Sequence, residues 1–161
     1  MSVHPPIRPY ADRDRAELVA CVAELQDFDR SLYPELLEGA RMASAYADSL
    51  LAEARDRRGG LFVYEAESRL LGFVNVAIRT GVDLLESTIN ECAYVTDLMA
   101  REAHRGRGIG TALLEAAERY ARERGLKPIR INAGARNEGA LRAYRRYGFA
   151  DHIVVLRKSI S

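Results

Sequence analysis

A glycine-rich turn is the part of this sequence whose residue types point most directly to chemistry. A helix-forming segment follows the turn, which consists of Arg105, Gly106, Arg107, Gly108, Ile109, Gly110 and Thr111. Backbone N–H groups beside glycines can converge on an anion, and the helix dipole favours negative charge at that helix end. The two arginines add cations that reach phosphate oxygens in pairs. The turn is therefore predicted to bind phosphate.

Other classes of glycine-rich turn fit this segment less well. A Walker A loop requires a lysine after its last glycine, and the turn contains no lysine, so that class is excluded. A dinucleotide-binding fingerprint has the spacing Gly-x-Gly-x-x-Gly near the first strand, whereas Gly106, Gly108 and Gly110 are evenly spaced in the second half of the chain. A glycine-rich helix start that binds no ligand is the remaining alternative.

Two separated segments carry the pattern of a known family. Arg105, Gly108 and Gly110 have the spacing Arg-x-x-Gly-x-Gly and follow a strand end made of Asp97, Leu98, Met99 and Ala100. The second segment contains Asn137, Ala140, Tyr144, Gly148 and Phe149. In these segments the chain resembles the GNAT superfamily of N-acetyltransferases. It departs from the family at Ala100, where a larger β-branched residue is usual, and at Arg101-Glu102, which replace a residue–proline pair.

This resemblance implies an acyltransferase that moves the acetyl group of acetyl-CoA directly to a primary amine. The backbone of Leu98, Met99 and Ala100 would pair with the pantetheine arm, and the Leu98 N–H would face the thioester carbonyl. The glycine-rich turn would hold the pyrophosphate. Asn137 would bind the cofactor arm, although it is equally suited to cap a helix. Tyr144 would protonate the leaving CoA thiolate, or else it only packs against Leu141.

The base that takes a proton from the acceptor ammonium is not fixed by the family pattern. Asp97 and Glu91 are candidates because regular alternation places them on one face of a strand, and a water held between them is a third. Asp97 has a purely structural role as its alternative. His104 precedes the glycine-rich turn and is interpreted as an anion contact or a solvated residue.

An acidic and aromatic stretch is the candidate entrance for the acceptor. Negative charge and aromatic faces attract an ammonium group, although many such stretches are plain solvated loops. The stretch consists of Asp27, Phe28, Asp29, Tyr33, Glu35 and Glu38.

The elements that must position these residues follow from periodicity. Two helices, the second ending before Gly59, precede strands at 61–66, 70–79 and 92–100, with a loop near 81–90. A helix over 109–124, a strand over 129–133, a helix over 138–147 capped by Asn137 and a strand over 153–157 complete the chain. This order predicts an α+β (mixed α/β) single domain over residues 7–160. Its expected core is a mixed, mostly antiparallel sheet with flanking helices, and the resemblance adds a splayed strand pair.

Composition narrows the function further. The 24 basic and 23 acidic residues nearly cancel, which argues against a nucleic-acid-binding protein, and no apolar run is long enough to span a membrane. Cys21 and Cys92 lack metal-ligand spacing, so no metal is expected. A cytoplasmic location is expected as well. The resemblance to the GNAT superfamily implies a small-molecule or peptide amine as acceptor, and it makes a homodimer possible, since pairing through the last strands is common in that family. The alternative function is a non-catalytic acyl-CoA sensor or regulatory domain.

Overall fold

The computed structural model of the chain describes residues 6–56, 59–80 and 91–160. The loop expected near 81–90 lies outside these residues. Short 3-10 turns lie at Asp12–Asp14 and Glu102–His104. The remaining elements, in chain order, are β1 (Ile7–Pro9), α1 (Arg15–Leu32), α2 (Gly39–Arg55), β2 (Gly59–Ala66), β3 (Arg69–Thr80), β4 (Glu91–Ala100), α3 (Ile109–Glu123), β5 (Ile129–Ile131) and α4 (Glu138–Tyr147).

The strands form one open sheet in the order β1-β2-β3-β4-β5. Neighbours pair in antiparallel fashion except β4 and β5, which are parallel. The mixed, mostly antiparallel sheet and its flanking helices confirm the predicted α+β class. The parallel pair arises because α3 lies between β4 and β5 in the chain, and a helical crossover returns the chain in the same direction.

Helices cover both faces of the sheet. One buried cluster joins β2 and β3 to α1 and α2, with Leu18, Val22 and Phe73 among its members. The other joins β3 and β4 to α3 through residues such as Val76, Val95 and Leu113. Because the central strands have apolar neighbours on both faces, β3 is buried almost continuously from Gly72 to Ala77 instead of alternating.

The first two helices pack closely enough to exclude a side chain at one position. A Cβ atom added to Gly39 would overlap the backbone of Ala23. The Asp27 carboxylate accepts a hydrogen bond from the Gly39 backbone N–H at 2.6 Å and fixes the start of α2 against α1. This crossing sets the position of the α1–α2 layer over β2 and β3.

The clearest predicted helix is confirmed, and its ends follow the residues expected to punctuate it. Gly108 precedes α3 with φ of 82°, and Gly125 follows it with φ of 67°, values that favour glycine. Asn137 precedes α4, and its Oδ1 accepts from the Ala140 backbone N–H at 3.0 Å. The structure therefore shows the capping role that the sequence offered for Asn137.

The strand predicted over 153–157 is wrong. Residues 151–160 have no regular structure, and Val154, Val155 and Leu156 are 79%, 87% and 90% exposed. A β-branched run forms a strand only where a neighbouring edge accepts its hydrogen bonds. Within the described part of the chain, no edge pairs with this segment.

Candidate active site

A bulge in β4 decides which side chains reach which face of the sheet. Asn75 pairs with Asp97 and Val76 pairs with Val95, so Thr96 is an extra residue in β4. Such an extra residue reverses the alternation beyond it. Val95 packs with the α3 cluster, whereas Asp97 turns towards α1 and α2 and meets Tyr46 of α2.

The bulge also corrects the expectation that Asp97 and Glu91 share a face. Glu91 precedes the bulge and alternates with Ala93 and Val95 on the α3 side of the sheet. It also lies at the opposite end of β4, six residues from Asp97 and therefore on the order of 20 Å away along a strand. The structure does not bring the two carboxylates together.

Past the bulge, β4 loses its neighbour on one side. β5 pairs with β4 only at Ala93, Tyr94 and Val95. Leu98, Met99 and Ala100 therefore have no β5 partner, although they still pair with β3 on the other side. An unpaired strand edge is a template for an extended ligand. The open edge occupies the position at which the sequence expected the cofactor arm.

The glycine-rich turn begins beside this open edge. Gly106 and Gly108 have φ of 75° and 82°, and an added Cβ atom on either would meet nothing within 4 Å. A Cβ atom on Gly110 would lie 3.9 Å from the Leu98 side chain, which places the first turn of α3 against the end of β4. Among the residues that the structure describes, no side chain caps the start of α3. Its first backbone N–H groups, at Ile109, Gly110 and Thr111, lack helical partners and suit an anion.

The two arginines of the turn have different surroundings. Arg105 donates from Nε to the Ala100 carbonyl at 3.2 Å, and its guanidinium lies 4.6 Å from the centre of the Phe28 ring. Arg107 instead lines a cavity of about 320 Å³ with His104, Ile109 and residues of the β2–β3 hairpin. Arg105 therefore joins the turn to α1, and Arg107 borders the opposite side.

Asp97 lies in a partly buried polar setting beside α2. The Tyr46 hydroxyl donates to its carboxylate, with oxygen distances of 3.0 and 3.2 Å. Burial raises the pKa of the Asp97 carboxyl; hydrogen bonds from Thr96 and Tyr46 lower it in part, and the charge of Glu53 raises it. A carboxylate with a raised pKa can accept a proton from an ammonium group more readily than an ordinary one.

Tyr144 lies within electrostatic reach of the same group. Burial raises the pKa of its hydroxyl to about 12, and the charges of Asp29 and Asp97 contribute. Its ring also contacts Phe149 edge-on, with centroids 6.2 Å apart. The hydroxyl therefore keeps its proton at neutral pH, as a general acid must.

The acidic and aromatic stretch is mostly occupied by contacts within the chain. Only Asp29 has neither a hydrogen bond nor an ion pair to its carboxylate among the described residues. Burial raises the pKa of the Asp29 carboxyl, and the charge of Asp97 adds to the rise. The other five contact Gly39 (Asp27), Arg105 (Phe28), Arg136 (Tyr33), Arg157 (Glu35) and Arg30 (Glu38).

Sequence reasoning missed Tyr46, Thr96 and Asn75. Tyr46 belongs to the apolar stripe of α2, so its spacing indicates packing and gives no sign of a bond to Asp97. Asn75 is fully buried, and its Nδ2 donates to Thr96 Oγ1 at 2.8 Å and to Glu53 Oε2 at 3.0 Å. A polar residue inside the apolar run of β3 is the one signal that could have identified it, since buried amides require partners.

Among residues 6–56, 59–80 and 91–160, no group of three or more His, Cys, Asp or Glu side chains is arranged to hold a metal ion. No helix in these ranges is long and apolar enough to cross a membrane. Cys21 and Cys92 are both buried and form no disulfide.

Comparison with known proteins agrees with this geometry. The family model described as "Acetyltransferase (GNAT) family" matches residues 20–149, which is more than half of the 161 residues. The chain belongs to the GNAT acetyltransferase family. The matched region contains the β4 bulge, the glycine-rich turn and Tyr144, so the candidate site of this GNAT protein lies within the region that the family model covers.

Individual relatives show the same kinship. The streptothricin acetyltransferase of Streptomyces lavendulae is 35% identical over 100 residues, which are 62% of this chain and 49% of that protein. The chain spans less than half the length of the curated relatives it matches.

Two crystal structures are similar in fold. A predicted acetyltransferase of Clostridium acetobutylicum, solved with acetyl-CoA, has a TM-score of 0.74 at 18% identity, covering 95% of this chain and 94% of that one. The aminoglycoside 6'-N-acetyltransferase of Acinetobacter haemolyticus has a TM-score of 0.68 at 19% identity, covering 96% and 99%.

Proposed function

We propose that residues 7–160 form an N-acetyltransferase domain that moves the acetyl group of acetyl-CoA to a primary amine by direct attack. One observation carries this proposal. An open strand edge, an uncapped glycine-rich helix start and two acid–base side chains lie together at one end of β4. A GNAT relative named for streptothricin acetylation supports an amine acceptor.

The residues present fit acetyl-CoA. The backbone of Leu98, Met99 and Ala100 would hydrogen-bond the extended arm, because that edge has no β5 neighbour. The N–H groups at the start of α3 would hold the pyrophosphate, with Arg105 and Arg107 supplying positive charge at its sides. Asn137 caps α4 through its Oδ1, which leaves its Nδ2 as a donor towards the arm. When bound, acetyl-CoA supplies an activated acetyl thioester.

Asp97 and Tyr144 would manage the protons. The acceptor reaches the site as an ammonium ion, and Asp97 takes one proton so that the nitrogen lone pair can bond to the thioester carbon. The Leu98 N–H would donate to the carbonyl oxygen as charge develops on it. As the carbon–sulfur bond breaks, Tyr144 protonates the thiolate. The second proton of the nitrogen would pass through solvent to the deprotonated Tyr144, and Asp97 would release its proton to solvent, so that the reaction releases one proton overall.

A non-catalytic acyl-CoA sensor is the competing function. A sensor needs the open edge and the glycine-rich turn but has no use for a partly buried carboxylate and tyrosine with raised pKa values beside them. The presence of both groups favours catalysis.

A calorimetric titration with acetyl-CoA tests the proposal, with Gly108→Asp as the test variant. Gly108 and Gly125 both have positive φ and open space around an added Cβ atom, so the two Asp variants incur similar backbone strain at opposite ends of α3. We expect micromolar binding by the wild type and Gly125→Asp and none by Gly108→Asp. No binding by the wild type would refute the function, and equal binding by the two variants would remove the turn from the site.

We also propose a homodimer in the cytoplasm. The exposed apolar residues of the C-terminal segment, among them Val154 and Leu156, would be covered by the same segment of a second copy, since β-branched runs pair readily. Cys21 and Cys92 are both free thiols, as is usual for proteins of a reducing compartment. Sedimentation velocity checks the dimer: the wild type should sediment as a dimer and Val154→Asp with Leu156→Asp as a monomer.

A further inference from the structure

The Asp97 carboxylate is held by hydroxyl groups and by no cation. Tyr46 of α2 donates to both carboxylate oxygens, at 3.0 and 3.2 Å, and the neighbouring Thr96 hydroxyl lies close enough to the carboxylate to lower its pKa. Within the described residues, no arginine, lysine or histidine forms an ion pair with Asp97. A carboxylate that balances a structural charge would have a cation at hydrogen-bond distance.

The Thr96 hydroxyl is oriented by a buried chain of hydrogen bonds. Asn75 Nδ2 donates to Thr96 Oγ1 at 2.8 Å and to Glu53 Oε2 at 3.0 Å, and Arg79 pairs with Glu53 Oε1 at 2.5 Å. Because Thr96 Oγ1 accepts from Asn75, its own proton is free to point at Asp97. The bulge residue thus turns the strand and also supplies a donor.

The other described groups around Asp97 do not stabilise its negative charge. Asp29 of α1 and Glu53 of α2 are acidic, and Tyr144 of α4 is neutral. Asn75 of β3 pairs directly across from Asp97 in the sheet, and its amide is turned to Glu53 and Thr96. The two hydroxyls are therefore the described side-chain groups that stabilise the ionised carboxylate.

We propose that Tyr46 and Thr96 are positioning residues that keep the Asp97 carboxylate ionised and fixed in orientation, ready to take the proton of the acceptor ammonium. This inference rests on the proposed role of Asp97 in acetyl transfer. Both hydroxyls donate to the charged form of the carboxyl, and a donor to the charged form favours ionisation. The arrangement offsets the burial of Asp97 without the strong neutralisation that an arginine would bring.

The structure offers a matched control for Tyr46. Tyr10 packs against the same α1–α2 cluster as Tyr46, but its buried hydroxyl has no hydrogen-bond partner among the described residues. Tyr10→Phe and Tyr46→Phe each remove one oxygen from the same layer and keep the ring. Any difference between them therefore reports the bond to Asp97 rather than the loss of a hydroxyl from the core.

The test is a carbon-13 NMR titration of the side-chain carboxyls in the free protein, with the Asp97 signal assigned by its loss in Asp97→Asn. We expect the midpoint for Asp97 to rise by about one pH unit in Tyr46→Phe and in Thr96→Val, and to stay within about 0.3 unit in Tyr10→Phe. The acidic limb of kcat/KM against pH should move with it, and Tyr46→Phe should regain most of its rate at high pH.

The outcomes separate this inference from the proposed function. An Asp97 midpoint that moves no further in Tyr46→Phe than in Tyr10→Phe overturns the positioning role, whatever the activities are. A midpoint that rises while the rate profile stays in place shows that the hydroxyls act on Asp97 but that Asp97 is not the base. The second result refutes the proposed proton transfer and with it the catalytic purpose of the two hydroxyls.

Discussion

Two aspartates, Asp14 at the start of α1 and Asp97 in β4 beside Tyr46 of α2, are stabilised in opposite ways. Asp14 is 5% exposed, and the Arg8 guanidinium holds it with two hydrogen bonds of 2.7 and 2.9 Å. The Arg8 bonds lower the pKa of the Asp14 carboxyl, against the effect of burial. Asp97 has hydroxyl donors and no cationic partner in the part of the chain that the structure describes, and burial raises its pKa. A cation makes a buried carboxylate a structural element, whereas its absence leaves a carboxylate able to exchange a proton.

The largest expected effect comes from neutralising each aspartate in turn. Asp97→Asn should lower kcat/KM by about 10² to 10⁴, the usual contribution of a positioned acid–base group. Asp14→Asn should leave kcat/KM within about threefold at a temperature where it is folded. Steady-state assays of CoA release measure both. Equal losses of kcat/KM in the two variants would show that both substitutions act through folding and not through the chemical step.

The second-largest effect is expected at Tyr144, the proposed general acid. Tyr144→Phe keeps the ring against Phe149 and should lower kcat by about 10², because a hydroxyl with a raised pKa gives its proton less readily and water partly replaces it. Acetyl-CoA affinity should not change. Tyr147→Phe, which removes a hydroxyl from the same helix, is the control. A kcat for Tyr144→Phe within threefold of wild type, with chemistry rate-limiting, would make Tyr144 a packing residue.

The contributions of the two aspartates to the free energy of unfolding should change with pH in opposite directions. The pKa of Asp14 is lowered on folding, so its contribution is present above the unfolded pKa of about 3.9 and is lost as pH falls through the folded value. The pKa of Asp97 is raised, so the folded state loses stability as pH rises from about 4 through the folded value. Urea unfolding at pH 7 should therefore show Asp14→Asn about 2 kcal/mol less stable and Asp97→Asn up to about 1 kcal/mol more stable. A stabilised Asp14→Asn or a strongly destabilised Asp97→Asn would reverse the assignment of roles.

The smallest effect concerns acceptor binding. Asp29 has no ion-pair partner among the described residues, whereas Glu35 pairs with Arg157 at 3.3 Å. Asp29→Asn should raise KM for a cationic amine about tenfold at low salt, and the increase should shrink as salt screens the charge. Glu35→Gln should leave KM unchanged, and acetyl-CoA affinity should hold in both. An unchanged KM for Asp29→Asn at low salt would remove Asp29 from the acceptor site.

Local patterns predicted most of the fold, because α1 to α4 and β2 to β5 are each specified by their own periodicity and end signals. The bulge at Thr96 could not be predicted from alternation, since one extra residue reverses the faces of Asp97 and Glu91 without any mark in composition. The error at 153–157 has the same origin: a β-branched run does not identify its neighbour. The glycine-rich turn and Tyr144 were found through motifs, while Tyr46 had no motif, and its bond to Asp97 became visible only when α2 was packed against the sheet.

The most direct test of the account is acetyl transfer itself. The wild-type protein and Asp97→Asn would be incubated with acetyl-CoA and a panel of primary amines that includes streptothricin, an aminoglycoside, a polyamine and a peptide. Thiol release and the mass of each amine would be followed together. The account predicts that the wild type releases one CoA for each acetylated amine with at least one acceptor, and that Asp97→Asn does so at least a hundredfold more slowly. Tight acetyl-CoA binding without acetylation of any amine would contradict it and favour a sensor.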